Sequence, residues 1–73
     1  MNYSVDPLAR QLVALKAREG WTWPDVAKKL GVHVISVTRW GTGTRRPLGL
    51  PRVALVRLLK RHGVEPSQGK ART

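Results

Sequence analysis

Four residues at fixed spacing constrain the fold of this chain more than any other feature. Gly31, Val37 and Trp40 follow Ala27 by four, ten and thirteen residues, within the segment VAKKLGVHVISVTRW. Two helices that cross steeply beside a shared turn need a small side chain at closest approach, and Ala27 supplies it. The turn needs a residue that adopts positive φ without strain, as Gly31 does. Because Val37 and Trp40 share one helix face, the spacing predicts two packed helices joined by a short turn.

Capping residues predict where the first two helices begin. Asp6 is a suitable N-cap, and Pro7 suits the first helical position because its missing N–H would have no partner there. Thr22, with Asp25 three residues later, resembles a capping box and opens a second helix that extends through Leu30. The first helix carries leucines at helical spacing, namely Leu8, Leu12 and Leu15.

The following residues predict two further helices separated by a loop. A third helix begins at or beside His33 and runs to about Trp40. The segment GTGTRRPLGLP, residues 41–51, is rich in Gly, Thr and Pro and predicts a loop. Pro51 then suits the first turn of a helix that reaches His62. The sequence therefore predicts an all-α fold, a small four-helix domain.

Chain length predicts a single small domain with irregular ends. With 73 residues, one core is marginal and supplies ~3–5 kcal/mol unless an oligomer adds to it. We expect residues 1–5 to form an N-terminal arm, 6–63 the folded domain and 64–73 a disordered basic tail with little apolar content. Binding through a surface is therefore favoured over catalysis in an enclosed cleft.

The charge balance predicts an anionic partner. Lys and Arg number 14 against 4 acidic residues, and the resulting net charge of +10 attracts polyanions. Charge alone does not separate DNA from RNA, acidic proteins or anionic membranes. The sequence has no apolar run of membrane-spanning length and no signal-peptide pattern, and it has no cysteine for disulfides or zinc sites. We expect a soluble cytoplasmic protein.

The segment from Trp21 to Leu59 resembles the Cro and phage-repressor type of helix-turn-helix, also called the XRE type. Besides the helix spacing, the resemblance is carried by Trp40, Gly43 and the Arg45-Arg46-Pro47 run that precedes an apolar helix. The similarity is to a branch of small regulators and antitoxin-like domains. It implies a lambda-repressor-like fold with a helix-turn-helix and duplex DNA as the partner.

In such a motif the start of the second helix enters the major groove. Val34 and Ile35 would then approach base edges, and Arg39, one turn further on, would reach guanine O6 and N7. Relatives often have polar residues such as glutamine where this chain has the two aliphatic residues, so contact with thymine methyl groups is expected instead. The alternative is that Val34 or Ile35 packs in the core and that Arg39 is a solvated charge.

Contacts to DNA phosphates are expected from both sides of that helix. Hydroxyls, ring N–H groups and guanidinium groups are the usual donors to the backbone. The candidates are Trp23, His33, Ser36, Thr38, Thr42, Thr44, Arg45 and Arg46. Lys28 and Lys29, on the exposed face of the preceding helix, are equally well explained as solvated charges. For Trp23 the favoured alternative is that its ring covers the edge of the core beside Trp21.

No catalytic or metal site is expected. Trp21 and Trp40 are predicted in the core, because a chain without Phe needs large rings to fill volume, rather than as platforms for single-stranded bases. His33 and His62 lie in separate elements without nearby Cys, so a metal site is not expected. The few carboxylates offer no acid, base and nucleophile constellation. We expect no cofactor, no small-molecule substrate and no enzymatic activity.

The last predicted helix has an apolar band broader than one small core needs. We expect part of it to form a homodimer contact, the alternative being that it packs only on the leucines of the first helix. The band comprises Val53, Ala54, Leu55, Val56, Leu58 and Leu59. Symmetry then predicts an inverted-repeat operator with half-sites roughly 34 Å apart.

The sequence thus favours a transcriptional repressor or regulator that binds duplex DNA as a homodimer. One alternative is an antitoxin-type protein that autoregulates its operon and holds a toxin-like partner through the last helix and the tail. Another is sequence-independent nucleic-acid packaging or RNA binding, for which the charge alone would suffice. Neither the operator, the regulated genes nor an effector is specified by these residues.

Overall fold

The computed structural model describes residues 6–67, and in this range every regular element is a helix. The prediction of a small all-α, four-helix domain is confirmed. None of these helices has the length and apolar character needed to cross a membrane. The predicted arm and residues 68–73 of the predicted tail lie outside the described range. The helices are α1 Pro7–Glu19, α2 Trp23–Leu30, α3 Val34–Thr42 and α4 Gly49–Arg61.

The predicted caps form at the starts of α1 and α2. Asp6 accepts a hydrogen bond from the backbone N–H of Leu8 at 3.0 Å. In α2 the two bonds of the capping box are both present: the Thr22 N–H donates to Asp25 Oδ2 at 2.9 Å, and the Asp25 N–H donates to Thr22 Oγ1 at 3.2 Å. These bonds satisfy N–H groups that the helix itself leaves without partners.

One apolar core joins the four helices. Trp40, 4% exposed, lies within it as predicted. Trp21 does not: it packs on the margin of the core and stays half-exposed, with its ring 5.0 Å from that of His62. A ring in the short linker before α2 reaches the core edge but not its centre. The core residues are Leu8, Ala9, Leu12, Leu15, Val26, Ala27, Leu30, Val37, Trp40, Leu55, Leu58 and Leu59.

Most of the apolar band of α4 serves this core. Leu55, Leu58 and Leu59 are buried in it, while Ala54 and Val56 are half-buried against it. The band is broad because α4 packs against both α1 and α2. The part left outside is much smaller than the sequence pattern indicates.

Two helix boundaries differ from the predicted ones. α3 continues past Trp40 to Thr42, and α4 begins at Gly49, two residues before Pro51, which lies in the first turn as predicted. In both cases the helix extends into the Gly- and Thr-rich segment that predicted a loop. Proline is as acceptable in the interior of the first turn as at its first position, so Pro51 does not fix where the helix starts.

The chain continues along α1 after α4 has ended. Val64 packs against the core, and the Gln11 side chain donates to the Glu65 carbonyl at 2.7 Å and accepts from the Ser67 N–H at 2.7 Å. Residues 64–67, at the start of the predicted tail, therefore contact the domain. Low apolar content does not reveal such contacts, because a single glutamine makes two of them.

Candidate functional site

The turn between α2 and α3 has the geometry that the spacing predicts. Ala27 is buried at the helix crossing, and Gly31 has φ of +71°, a value that favours glycine. The Gly31 N–H donates to the Lys28 carbonyl at 3.3 Å, and the Val32 N–H donates to the Ala27 carbonyl at 3.0 Å. These bonds close the end of α2 and fix the direction in which α3 leaves the turn.

α3 has one anchored face and one exposed face. Val37 and Trp40 are buried, which directs the opposite side of the helix to solvent. Ile35, 49% exposed, lies on that side together with Arg39 and Thr42. The exposed stripe of α3 therefore consists of one large aliphatic side chain, one guanidinium group and one hydroxyl.

The two aliphatic candidates for base contact, Val34 and Ile35, differ in their exposure to solvent. Val34 is half-buried and packs against the core, whereas Ile35 stands on the exposed stripe. The N-terminal end of α3 thus presents Ile35 as its main apolar contact. Val34 offers only the part of its surface that the core leaves uncovered.

His33 forms the N-cap of α3. Its Nδ1 accepts a hydrogen bond from the Ile35 N–H at 3.3 Å. Because Nδ1 accepts this bond, the ring N–H is at Nε2. His33 is exposed, and Nε2 lies on the side of the ring away from the cap. The start of α3 therefore has a cap without a carboxylate and a donor that an anionic oxygen can use.

A groove beside α3 brings together four of the predicted phosphate and base contacts. It has a volume of about 230 Å³. Its polar lining comes from Ser36 and Arg39 of α3 and from Arg45 and Arg46 of the following loop, while Trp40, Leu48 and Pro51 supply apolar surface. Three guanidinium groups around one groove form a site for a phosphate or for a base edge with two acceptors.

The loop between α3 and α4 carries Arg45 and Arg46 and is called the arginine loop below. It is held at both ends. The Arg45 N–H donates to the Arg39 carbonyl at 3.2 Å, and Pro47 is fully buried. Arg52 of α4 donates from Nη1 to the Pro47 carbonyl at 3.2 Å, and the same atom lies 3.5 Å from Asp6 Oδ2. Arg52 therefore connects this loop to the N-cap of α1.

The three threonine candidates are already hydrogen-bonded within the chain. Thr38 Oγ1 donates to the Ile35 carbonyl at 2.9 Å, and Thr42 Oγ1 donates to the Arg39 carbonyl at 3.1 Å. Thr44 Oγ1 lies 2.9 Å from Thr42 Oγ1, and since the Thr42 proton is already used, Thr44 is the donor of that pair. To donate to a phosphate, each hydroxyl must rotate away from its present partner.

Trp23 lies between α1 and α3. The ammonium group of Lys16 is 4.8 Å from its ring centroid. On the α3 side, a Cβ added to Gly41 would come within 2.7 Å of Cζ2 and 2.8 Å of Cη2, so the ring rests directly on glycine backbone. Trp23 is half-buried, and its indole N–H has no hydrogen-bond partner among residues 6–67. The ring therefore packs α2 on α3, while the N–H keeps its capacity to donate.

Neither α3 nor the loop that follows it contains an acidic residue. The sequence has none between Asp25 and Glu65. Asp25 itself is held in the capping box, where the hydrogen bonds from the backbone and side chain of Thr22 lower the pKa of its carboxyl below the usual value. The carboxylate at Asp6 is likewise engaged, with Leu8 and Arg52. The charged side chains of α3 and the arginine loop are therefore all cationic.

Three residues support this site in ways that the sequence did not predict, although Pro47 belongs to the Arg45-Arg46-Pro47 run that carries the resemblance. Gly41 admits the Trp23 ring, Pro47 fixes the loop in the core, and Arg52 ties the loop to α1. Gly41 has a detectable signal, since a glycine near the end of a helix, one residue after a buried Trp, indicates close approach of another element. Arg52 gave no such signal, because its partners are distant in sequence.

Within residues 6–67 no three His, Cys, Asp or Glu side chains are arranged to hold a metal ion. The structure instead assembles hydrogen-bond donors and positive charge around one exposed helix. A family model for the homeodomain-like domain matches residues 4–41, just over half of the chain, and includes α1, α2 and nearly all of α3. No curated protein and no solved structure shows significant similarity to the chain.

Proposed function

The chain belongs to the homeodomain-like helix-turn-helix family, and on this basis we propose that it is a sequence-specific regulator of transcription that binds duplex DNA. Family membership indicates DNA binding. The observation that carries the more specific proposal is the exposed stripe of α3, which has no carboxylate. Beside it lies the groove lined by Arg39, Arg45 and Arg46, called the arginine groove below. A polyanion with a groove wide enough for a helix matches such a surface.

In the proposed complex the N-terminal half of α3 lies in the major groove. Ile35 contacts thymine methyl groups, with Val34 contributing the part of its surface outside the core. Arg39 donates both ends of its guanidinium fork to guanine O6 and N7. These are the three residues to which we assign base readout.

The backbone contacts surround this helix. Arg45 and Arg46 lie in the loop after α3. Ser36, on α3, lines the same groove as these two arginines. His33 donates from Nε2, and Trp23 donates from its indole N–H. Neither donor is used in a hydrogen bond within residues 6–67. Thr38, Thr42 and Thr44 join after rotation of their hydroxyls. Such contacts set position and affinity but not sequence.

We further propose that the protein is a cytoplasmic repressor of the XRE type and that two copies bind an inverted repeat as a homodimer. The resemblance carried by Trp40, Gly43 and the Arg45-Arg46-Pro47 run supports this branch. Two-fold symmetry of the copies would place the half-sites roughly 34 Å apart, one turn of B-DNA.

Selection of bound duplexes from a random pool tests the proposal. We expect an enriched half-site containing guanine next to thymine, present twice with opposite orientation. Enrichment of a single half-site would support sequence-specific DNA binding but contradict binding as a homodimer to an inverted repeat. Equal recovery of all sequences would overturn specific binding and favour nucleic-acid packaging.

The salt dependence of affinity gives a second measurement. Each phosphate that is neutralised contributes a slope of about −0.9 to log K against log salt. Arg45→Ala and Arg46→Ala should each reduce the slope by roughly one and weaken selected and random duplexes alike. If the slope is unchanged in both variants, the arginine loop does not contact DNA phosphates.

A second candidate function is an antitoxin-type protein that regulates its operon and also holds a toxin-like partner. It is favoured by the apolar side chains that α4 leaves exposed, Leu50 and Val53. Co-expression with the protein encoded by the neighbouring gene distinguishes the two. A stable complex that still binds the selected duplex would support the antitoxin function.

A further inference from the structure

The outer face of α4 is separate from α3 and from the arginine groove. Since Leu55, Leu58 and Leu59 face the core, the opposite side of the helix carries Leu50, Val53, Arg57 and Lys60. Leu50 is 83% exposed and Val53 46% exposed. Large apolar side chains on a short surface helix mark a contact when they lie together with polar residues around them.

The polar residues around them are all cationic. Arg57, Lys60 and Arg61 are exposed on α4, and Lys29 is exposed on the neighbouring α2. Within residues 6–67 the ion pairs are Arg18–Glu19 and Arg52–Asp6, so Arg57, Lys60 and Arg61 have no carboxylate partner there. The Lys29 ammonium group lies 4.6 Å from the centroid of the Trp21 ring. The surface is both apolar and strongly positive.

This surface is grooved on both sides of Arg57. One groove, of about 280 Å³, is lined by Val53 and Val56 together with Arg52, Arg57 and Lys60. The other, of about 150 Å³, lies between α2 and α4 and is lined by Lys29, Ala54, Arg57, Leu58 and Arg61. Each groove is lined by both apolar and cationic side chains, a combination that suits an apolar side chain beside a carboxylate.

We propose that the outer face of α4 binds an acidic amphipathic helix of a partner protein. Leucine-like side chains of that helix would enter the grooves, and its carboxylates would pair with Arg57, Lys60, Arg61 and Lys29. This is the groove mode of helix recognition, with charge complementarity selecting the partner. The inference rests on α4 and on charge, not on DNA binding, and it defines the chemistry of a protein partner for either candidate function.

Other occupants fit less well. A second copy placed face to face would set Arg57 and Lys60 against the same cations, without one carboxylate to separate them, and juxtaposed like charges are costly at an interface. A nucleic-acid backbone would satisfy the charges but would leave Leu50 and Val53 without apolar contact. A membrane surface would satisfy both, yet it has no side chains to insert into two narrow grooves.

The test uses the full chain, labelled with ¹⁵N, and a synthetic peptide with leucine at positions i, i+3, i+4 and i+7 and glutamate elsewhere. Titration should shift amide resonances of α4 and of Lys29 and should saturate. Two control peptides are needed: one of the same composition without an apolar face, and one with lysine in place of glutamate. Neither should produce saturable shifts.

Variants assign the binding to the proposed residues. Arg57→Glu and Val53→Asp should each lower the affinity for the peptide by about tenfold or more. The first places a negative charge against the peptide carboxylates, and the second places one against its apolar face. Arg10→Glu, at an exposed position of α1, makes the same charge change and should have little effect. Arg57→Glu should still bind the selected duplex specifically, which keeps this test independent of the proposed DNA function.

Four results would overturn the proposal. Peptide shifts on α3 and the arginine loop would show that the peptide only mimics DNA. A dimer that Val53→Asp converts to monomer in sedimentation equilibrium would assign the face to a second copy. Binding to phosphatidylglycerol vesicles without binding to the peptide would assign it to a membrane. Absence of any saturable peptide binding would leave the face without the proposed partner.

Discussion

The two helices of the motif, α2 and α3, are built alike and used differently. Both begin with a side-chain cap and end at a glycine of positive φ, Gly31 for α2 and Gly43 for α3. The first turn of α2 carries the carboxylate of Asp25, whereas the first turn of α3 has no acidic residue and is capped by the imidazole of His33. The two helices therefore differ in the charge of their first turns and not in how their ends are capped.

The physical reason lies in the N–H groups at a helix start. They carry partial positive charge and attract an anion. At α2 that place is taken by the chain's own Asp25, which accepts from Thr22. At α3 no carboxylate occupies the first turn, so the positive end of the helix remains available to the phosphate of the proposed complex.

The largest expected effect comes from removing the anchor of α3. Trp40 is 4% exposed, and Trp40→Ala should cost about 3–5 kcal/mol of folding free energy, most of what so small a domain has. Thermal unfolding followed by circular dichroism measures it. DNA binding should disappear together with the fold. A melting temperature close to that of the parent would contradict the division of α3 into anchored and exposed faces.

The contact that joins the two helices gives the next effect. Gly41→Ala places a Cβ against the Trp23 ring and should cost about 1–3 kcal/mol. In a Trp23→Ala background the same change should instead stabilise by about 1 kcal/mol, since alanine favours a helix interior over glycine. Chemical unfolding of the four proteins of this cycle checks the reversal of sign. Equal effects in both backgrounds would show that the ring does not constrain Gly41.

A change on the exposed stripe should leave the fold intact. Arg39→Ala should lose about 1–3 kcal/mol on the selected duplex and little on random DNA, because its fork discriminates guanine. The measurement is the ratio of the two dissociation constants at one salt concentration. Arg10→Ala, on α1, is the matched control for charge. An unchanged ratio for Arg39→Ala would leave base readout to Ile35, Val34 or DNA shape.

Exchanging the cap tests the comparison directly. His33→Asp should retain or slightly raise stability, because aspartate is a good N-cap, yet it should weaken DNA binding by about 1 kcal/mol or more through repulsion of phosphate. His33→Ser supplies a neutral cap as control and should keep more of the affinity. The two variants are compared by melting temperature and by titration of the selected duplex. Equal affinity of both would mean that the charge of this cap is irrelevant.

The smallest effect is the pH dependence of α2. Hydrogen bonds from Thr22 lower the pKa of Asp25 below its ordinary value of 3.8, so the folded chain binds this proton less readily than the unfolded chain. The resulting stability is present above that ordinary value and is lost as pH falls through the lowered one. Asp25→Ala should therefore flatten the acid limb of a stability curve. An unchanged limb would show that the capping box does not contribute there.

Features that depend on neighbouring residues were predictable from the sequence. The cap at Asp6, the capping box of Thr22 and Asp25, and the positive φ of Gly31 each require only a few consecutive residues. The inward position of Trp40 follows from helical spacing. The candidate site was predictable to the same extent, since the exposure of Arg39 follows from that position.

Features that depend on distant partners were not predictable. The Trp23 ring lies at the edge of the core, as the favoured alternative predicted, but its contact with Gly41 was not foreseen. The ring of Trp21 stops at the core edge against His62. The apolar band of α4 gave no indication of how much of it two other helices would cover. Hydropathy records that a side chain avoids water, but not which surface removes it from water.

The contact of Arg52 with Asp6 and with the Pro47 carbonyl fixes the minimal length of the functional unit. Cleavage of the chain between Asp6 and Pro7 would remove the carboxylate and place a new amino group at the positive end of α1. Arg52 would lose its anion, and the arginine loop would lose part of its support although Arg45 and Arg46 themselves were unchanged. A fragment that begins at Pro7 should therefore hold the arginine loop less firmly than one that begins at Asp6.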